Sequence, residues 1–469
     1  MRSLTFVLAS ALLLAAPMVT PSVSSAQSAS LPSTVKPLGV DSGEVAASSK
    51  LRGPTAVYTT EVGGHREPWV RLQFERVLLA GQPAAGNGSY LRITSLADGA
   101  QQTLDSNELA DWNDTSAYFN GARVRVELMA YPGTGPNRVG IVSATLGSYE
   151  TEPRSICGET DDRVPSSDPR VARLLAGGIC TAFLTDEGDC ANRFLTAGHC
   201  VDGNDSAVVQ FNVPPSLPNG TNVHPPPEHQ YPVDAGSVEN VDEGVGEEYG
   251  TFVVGVNSET GLTPRAAQGA AFHLLNSVSS QTDIYWKGVR VTSYGNDEGV
   301  DDNTLQTDRG PLVEKNGTRI RYFLDTTVGS SGGPVIDRRD ERIVGIHTHG
   351  GCSTDPESAN NGTAIDHPGL TALLASGPAG TCEEHNFCVP DAFWYPDGAD
   401  SWDDAEPIDA WYDQANCYVH ALGPTDGEPF IQDNHAYYVT PGPNGVCEQG
   451  WFDGANCRLG YAPRWRTPF

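Results

Sequence analysis

The feature that most constrains this chain is a pair of short stretches that make sense only together. The first is Thr196-Ala197-Gly198-His199-Cys200; the second, Gly329-Ser330-Ser331-Gly332-Gly333-Pro334, sets its second serine 132 residues after the histidine. A hydroxyl is a poor nucleophile at neutral pH, so Ser331 needs an imidazole within hydrogen-bond reach and N–H donors aimed at the oxygen that gains charge. The glycines supply that geometry. Gly329 permits a turn closed to residues with a Cβ, leaving its own amide and that of Ser331 to point at one oxygen. Gly332 and Gly333 let another backbone approach closely. Any fold for this chain must therefore bring the two stretches together.

The surrounding pattern says how. Strand-like runs at Cys180–Leu184, Arg193–Leu195, Val208–Phe211 and Thr251–Val254 occupy the first half of the region, and Tyr322–Leu324 and Ile343–Ile346 flank Ser331. A proline near the start of residues 367–374, apolar residues at helical spacing and Gly377 just beyond predict one closing helix. Upstream, Val70, Leu72 and Phe74, then Leu91 and Ile93, then Val124, Val126 and Leu128 alternate in short runs between turn residues. This predicts a β-sandwich over residues 55–150, an accessory or pro-domain. Residues 27–54, rich in Ser, Ala and Pro, read as a flexible leader. Before them, the apolar run Leu4–Ala16 after Met1-Arg2, closed by Ser24-Ser25-Ala26, reads as a secretory signal over residues 1–26, too short to span a bilayer.

Composition agrees with an all-β reading. The chain holds 51 Gly, 34 Pro and 10 Cys among 469 residues, with 19% charged, which describes a turn-rich molecule whose cysteines pair in an oxidising compartment. A formal net charge of −30 argues against nucleic-acid and anionic-membrane partners, which need clustered Lys and Arg. The histidines lack paired zinc spacing, so neither a metal nor a cofactor is expected. The acidic run at 105–114 reads as a solvated loop ahead of a calcium site, and that at 397–409 lacks the spaced glycine and closing glutamate of a helix-loop-helix calcium loop. Residues 381–469 carry Trp411-Tyr412-Asp413-Gln414-Ala415-Asn416-Cys417, repeated 40 residues on as Trp451-Phe452-Asp453-Gly454-Ala455-Asn456-Cys457. Such small aromatic units need disulfide staples, and they suit a carbohydrate or cell-surface ligand or simply form their own core. Five cysteines lie in residues 151–380 and five in the tail, so if all ten pair within one chain, an odd number of bridges crosses between the two.

In this order, the two motifs resemble those of secreted serine endopeptidases of the chymotrypsin fold. The resemblance implies a trypsin-like serine protease domain over residues 151–380, built as a double β-barrel and acting on protein or peptide. In it His199 takes the proton of Ser331, the amides of Gly329 and Ser331 hold the oxyanion, and Cys180 is bridged to Cys200. It also implies a carboxylate that accepts from the far nitrogen of His199 and stands at the head of a hydrophobic strand. The match by position is Glu248, 49 residues after the histidine, where the family ordinarily has aspartate. Asp242 is the runner-up, and a wholly solvated acidic loop is the third possibility.

Two readings of the substrate pocket compete. Asp325, six residues before Ser331, stands where trypsin-like enzymes select basic side chains. The segment 325–329 more closely resembles the glutamyl-endopeptidase branch, in which a histidine at the place of His347 receives a substrate carboxylate, with Thr327 as a donor and His349 close by. Acidic specificity is placed ahead of basic. Ser330 stands where trypsin-type zymogens carry the aspartate that captures a new amino terminus, so that switch is absent. Arg154, Arg163 and Arg173 are the candidate exposed sites for removing the upstream domain. An adhesion or polysaccharide-binding protein that uses the protease fold as a scaffold is the reading from another class.

Overall fold

The computed structural model of the chain describes residues 26–376, apart from 27, 51, 149–153, 187–192, 204–205, 276, 279–287 and 356, and beyond them only the backbone of short strands between 386 and 451. Residues 1–25 of the expected signal sequence, Cys190, and the tail's aromatic, acidic and cysteine side chains lie outside the described residues.

Two four-stranded antiparallel sheets form the upstream unit. One runs in the order Ser33–Asp41, Arg138–Gly147, Trp69–Leu78, Phe119–Asn120; the other runs Thr55–Gly63, Arg123–Ala130, Tyr90–Ser95, Gln101–Leu104. The alternating residues face each other across it: Val70, Leu72 and Phe74 with Leu91, Ile93, Val124, Val126 and Leu128 make one core. The sandwich begins earlier than its sequence pattern suggests. Residues 33–41, expected to lie in a flexible leader, form an edge strand paired with Arg138–Gly147. Its inward face is only half-buried, with Leu38 and Val40 against the sandwich core, so its apolar signal is weaker than that of the others.

The region around the two motifs contains two further sheets. The second is closed. Its strands follow one another as Thr304–Asn316, Gly288–Gly295, Pro334–Asp337, Ile343–His349, Asn360–Ala364 and Arg319–Tyr322, and this last strand pairs back onto the first. The first sheet runs Gln230–Pro232, Val208–Gln210, Val171–Leu175, Gly178–Leu184, Arg193–Thr196, Glu248–Val253, Glu239–Asp242, and a bridge from Val233 to Val254 draws its ends together. A short helix, Pro368–Ser376, follows the second barrel. The architecture is the chymotrypsin-like double barrel expected from the motifs. Each barrel has its own core, one around Phe194, Phe211 and Phe252 and the other around Val291, Ile336 and Ile346, and the catalytic motifs meet at the seam between them.

The sandwich docks on the first barrel through buried polar groups. Arg71 donates to the Ser206 carbonyl at 2.8 Å, Gln230 exchanges hydrogen bonds with the Tyr118 backbone at 3.0 and 2.8 Å, and Asn120 exchanges two with the His224 backbone at 2.9 and 2.8 Å. The buried His224 ring stacks on Tyr118 with centroids 4.9 Å apart. Arg173 faces its Nδ1 at 3.3 Å. Because a guanidinium can only donate, Nδ1 must accept and the ring must be neutral. Burial first, and the Arg173 charge second, hold the His224 pKa well below the ordinary histidine value.

The consequence has a sign. A depressed folded-state pKa means stability present above the unfolded value, about 6.5, and lost as pH falls below it. From pH 7 to 5 the wild type should lose up to about 2 kcal/mol more than His224→Gln. Paired thermal melts of the two proteins across that range check this; parallel curves would show that His224 does not titrate on unfolding.

Candidate active site

His199 sits in the short turn Gly198–Cys200 that follows the strand Arg193–Thr196. The turn is held from two sides. A disulfide joins Cys200 to Cys180 in the neighbouring strand, and a Cβ at Gly198 would stand 1.9 Å from the Val241 carbonyl oxygen, so only glycine lets the strand Glu239–Asp242 pass this close. A second bridge, Cys157 to Cys352, ties the start of this region to the second barrel.

Glu248 opens the strand Glu248–Val253, whose register sets Gly250 opposite Thr196 and Glu248 opposite Asp242. Its side chain is 0% exposed, with carboxylate oxygens 3.0 and 3.1 Å from His199 Nδ1. Thr363 fixes the backbone there by donating to the Glu248 carbonyl at 2.6 Å. Burial pushes the Glu248 pKa up, the hydrogen bond from His199 pulls it down, and Asp242 pushes it up again. Asp242 is exposed, yet His199, Asp242 and Glu248 bring one side-chain nitrogen or oxygen each within 4.8 Å of one another. Of the two candidate carboxylates, then, the buried one holds the imidazole and the exposed one stands beside it.

Ser331 is buried in the turn before the strand Pro334–Asp337. Its Oγ donates to the Thr348 carbonyl at 2.8 Å, and the buried Nε2 of His199 has no hydrogen-bond partner among the described residues. The His199 ring and the Ser331 hydroxyl thus share one site, with no hydrogen bond to Nε2 among the described residues.

The loop's shape follows from two glycines at positive φ. Gly329 has φ of 100°, and a Cβ there would come 2.8 Å from the Tyr294 carbonyl oxygen. Gly332 has φ of 87° and donates to the His347 carbonyl at 2.8 Å. Thr181 clamps the same loop from the first barrel: its amide donates to the Ser331 carbonyl at 2.8 Å and its hydroxyl to the Gly329 carbonyl at 3.0 Å. Sequence reasoning missed Thr181, whose sole signal is its place beside Cys180. Ser330 is held by neutral groups, accepting from the Ser293 hydroxyl at 3.0 Å and the Thr327 amide at 3.2 Å.

The pocket residues divide. Asp325 is buried, and its two oxygens accept from the amides of Cys157 and Asp162, each at 2.7 Å. Burial pushes its pKa up while those amides pull it down. Its carboxylate therefore ties the segment 157–162 to the barrel. The Thr327 hydroxyl is also engaged, donating to the Asn296 carbonyl at 3.0 Å and accepting from Arg163 at 2.9 Å. That arginine side chain is 2% exposed and paired with Asp161 and Asp297 at 2.7 and 3.3 Å. Arg173 is likewise buried, bonded to Gln210 and to the Asn303 and Val223 carbonyls. Neither Arg163 nor Arg173 is the exposed cleavage site expected of it; both are buried by partners from distant stretches of chain. The Arg154 side chain lies outside the described residues.

His347 is buried, with Nδ1 2.5 Å from the Tyr322 hydroxyl, which also reaches the Asn361 carbonyl at 3.0 Å. Burial first, and the neighbouring histidines after it, lower its pKa to about 3. His349, expected in the pocket with it, sides instead with the catalytic pair. Its ring stands edge-on to His199 at 6.2 Å, with Nδ1 3.0 Å from the Thr348 hydroxyl and 3.6 Å from Glu248.

No curated protein matches the chain. Among solved structures, a Glu endopeptidase in complex with MPD is 15% identical with a TM-score of 0.35, the match covering 47% of this chain and 98% of that one. A thermostable serine protease, AL20, from an extremophilic microorganism is also 15% identical, with a TM-score of 0.34 and coverage of 45% and 99%. The stretch that holds His199, Glu248 and Ser331, residues 180–346, matches the family described as the trypsin-like peptidase domain.

Proposed function

We propose that the chain is a secreted serine endopeptidase that hydrolyses peptide bonds through an acyl-enzyme on Ser331 and prefers Glu or Asp before the scissile bond. The observation that carries this reading is the buried Glu248 carboxylate on His199 Nδ1, which leaves Nε2 as the ring's open base. Nε2 takes the Ser331 proton as Oγ bonds to the substrate carbonyl carbon, and Glu248 stabilises the imidazolium. The Gly329–Ser331 turn receives the oxyanion. The proton then passes to the leaving amine as the C–N bond breaks. Water, deprotonated by the same nitrogen, releases the acyl group as a carboxylic acid and restores Ser331.

The acidic preference rests on where the charges are spent. With both Asp325 oxygens on amides, that carboxylate offers no counter-ion to Lys or Arg. On the other wall the Tyr322 hydroxyl donates to the Asn361 carbonyl and meets His347 Nδ1, and this reading assigns the substrate carboxylate to His347. The aromatic tail is proposed to hold the enzyme to a carbohydrate or cell-surface ligand.

The test is digestion of a mixed peptide pool by the wild type and by Ser331→Ala, with every cut mapped by mass spectrometry. Cuts after Glu and Asp that vanish in the variant are expected; cuts after Arg and Lys would transfer the pocket to another residue. The Ser331 hydroxyl resting on Thr348 favours one second reading, a protease-fold binding module. That reading requires Ser331 to be indifferent to a fluorophosphonate.

A further inference from the structure

Residues 26–30 precede the sandwich, and Ala29 joins its apolar cluster. Ala26 forms an antiparallel bridge with His349, and Ala29 and Ser30 pair antiparallel with Ile179 and Gly178. The nucleophile lies between those two walls. Ser331 bonds through Oγ to Thr348, next to His349, and through its carbonyl to Thr181, two residues beyond Ile179.

The fit is close. Ala29 is 2% exposed, and a Cβ on Gly178 would stand 2.6 Å from its carbonyl oxygen. A Cβ on Gly329, in the oxyanion turn, would stand 3.5 Å from the Ala29 methyl. Ser28 and Ala29 line one cavity of about 330 Å³ together with Gly178 and His199. The far end is anchored: Leu31 packs on the sandwich core, and the edge strand Ser33–Asp41 follows directly. Extended pairing with sheet edges on both sides is how an added peptide gains affinity from its main chain, and a short tether raises its effective concentration to about the millimolar range.

We propose that Ser28–Ser30 is an intramolecular ligand of the cleft, lying beside His199 and the Gly329 turn and keeping the enzyme latent until it is displaced or cut. The inference rests on the endopeptidase reading above. A substrate then meets an open cleft in only a fraction of molecules, and its apparent affinity falls by that fraction. Small residues at 28, 29 and 30 suit a segment packed against the cleft wall, and the folded sandwich keeps it there.

The experiment uses the full chain. Ala29→Trp has no room for its ring and should expel the segment. KM on a peptide substrate should fall at least about tenfold with kcat unchanged, and fluorophosphonate should label Ser331 faster by the same factor. A synthetic peptide of residues 28–32 should then inhibit the variant competitively. Gly178→Ala presses on the Ala29 carbonyl from the opposite wall and should also speed labelling, a second readout if Ala29→Trp does not fold. A folded variant with the labelling rate and KM of the wild type overturns the latency. Labelling absent from every form removes the endopeptidase reading and the proposal with it.

Discussion

Glu248→Gln should lower kcat by about 10⁴ with KM changed by no more than a few-fold. The reason is tautomeric. A buried carboxylate can only accept at His199 Nδ1, which puts the ring's one proton there and leaves Nε2 basic. An amide turned to donate would reverse this, placing the proton on Nε2, where it cannot take another from Ser331. Because the Glu248 side chain is 0% exposed, water has no ready access to repair the arrangement. Ser331→Ala and His199→Ala should each cost about 10⁶, and together no more than either alone, since the groups act as a unit. Glu248→Asp keeps the acceptor but shortens its reach by one methylene, so it should retain more activity than glutamine. Steady-state kinetics on one chromogenic peptide separate these cases. A glutamine variant within tenfold of the wild type would move the orienting role to Asp242, which stands beside the pair on the opposed strand.

What was legible in the sequence was local. The glycine turns around His199 and Ser331 announce themselves because only glycine tolerates their backbone and their close contacts, and Glu248 could be found because a carboxylate at the head of a strand is a pattern of adjacent residues. The strands were legible wherever one face is buried. The edge strand Ser33–Asp41 only half-buries one face, through Leu38 and Val40, and looked like a leader.

Roles decided at long range were not legible. Counting from the serine found Asp325 but not its function, because the two amides that consume it come from Cys157 and Asp162, more than 160 residues upstream. Arg163 read as an exposed charge because Asp297, its ion-pair partner, is 134 residues away. The segment 28–30 gave no sign of its pairing, because Ser-Ala-Ser has no period and its partners Ile179 and Gly178 lie about 150 residues further along the chain.

The same distinction between local shape and long-range contact sets the cost of adding one methyl group. Gly332→Ala should destabilise the protein by roughly 2–5 kcal/mol, the sum of about 1–2 for the left-handed backbone and about 1–3 for overpacking. A Cβ there would lie 1.9 Å from the Thr181 carbonyl oxygen and 2.2 Å from the Thr196 hydroxyl, both in the first barrel, while the Gly332 amide is bonded to His347 in the second. The residue is thus fixed at the seam from both sides and has nowhere to retreat. Gly317 supplies the control: it has a φ of 59° with nothing within 4 Å of its would-be Cβ, so alanine there should cost only the backbone term. Urea unfolding of both variants isolates the contact energy as their difference. Activity adds the second discriminant, because the methyl at 332 must push the turn that carries Ser331 away from Thr181, whereas the one at 317 faces solvent. The folded fraction of Gly332→Ala should therefore label poorly with fluorophosphonate, and that of Gly317→Ala normally. Equal stabilities for the two would mean that the barrels can part at the seam without cost, and the nucleophile's position would then have to be set within its own loop.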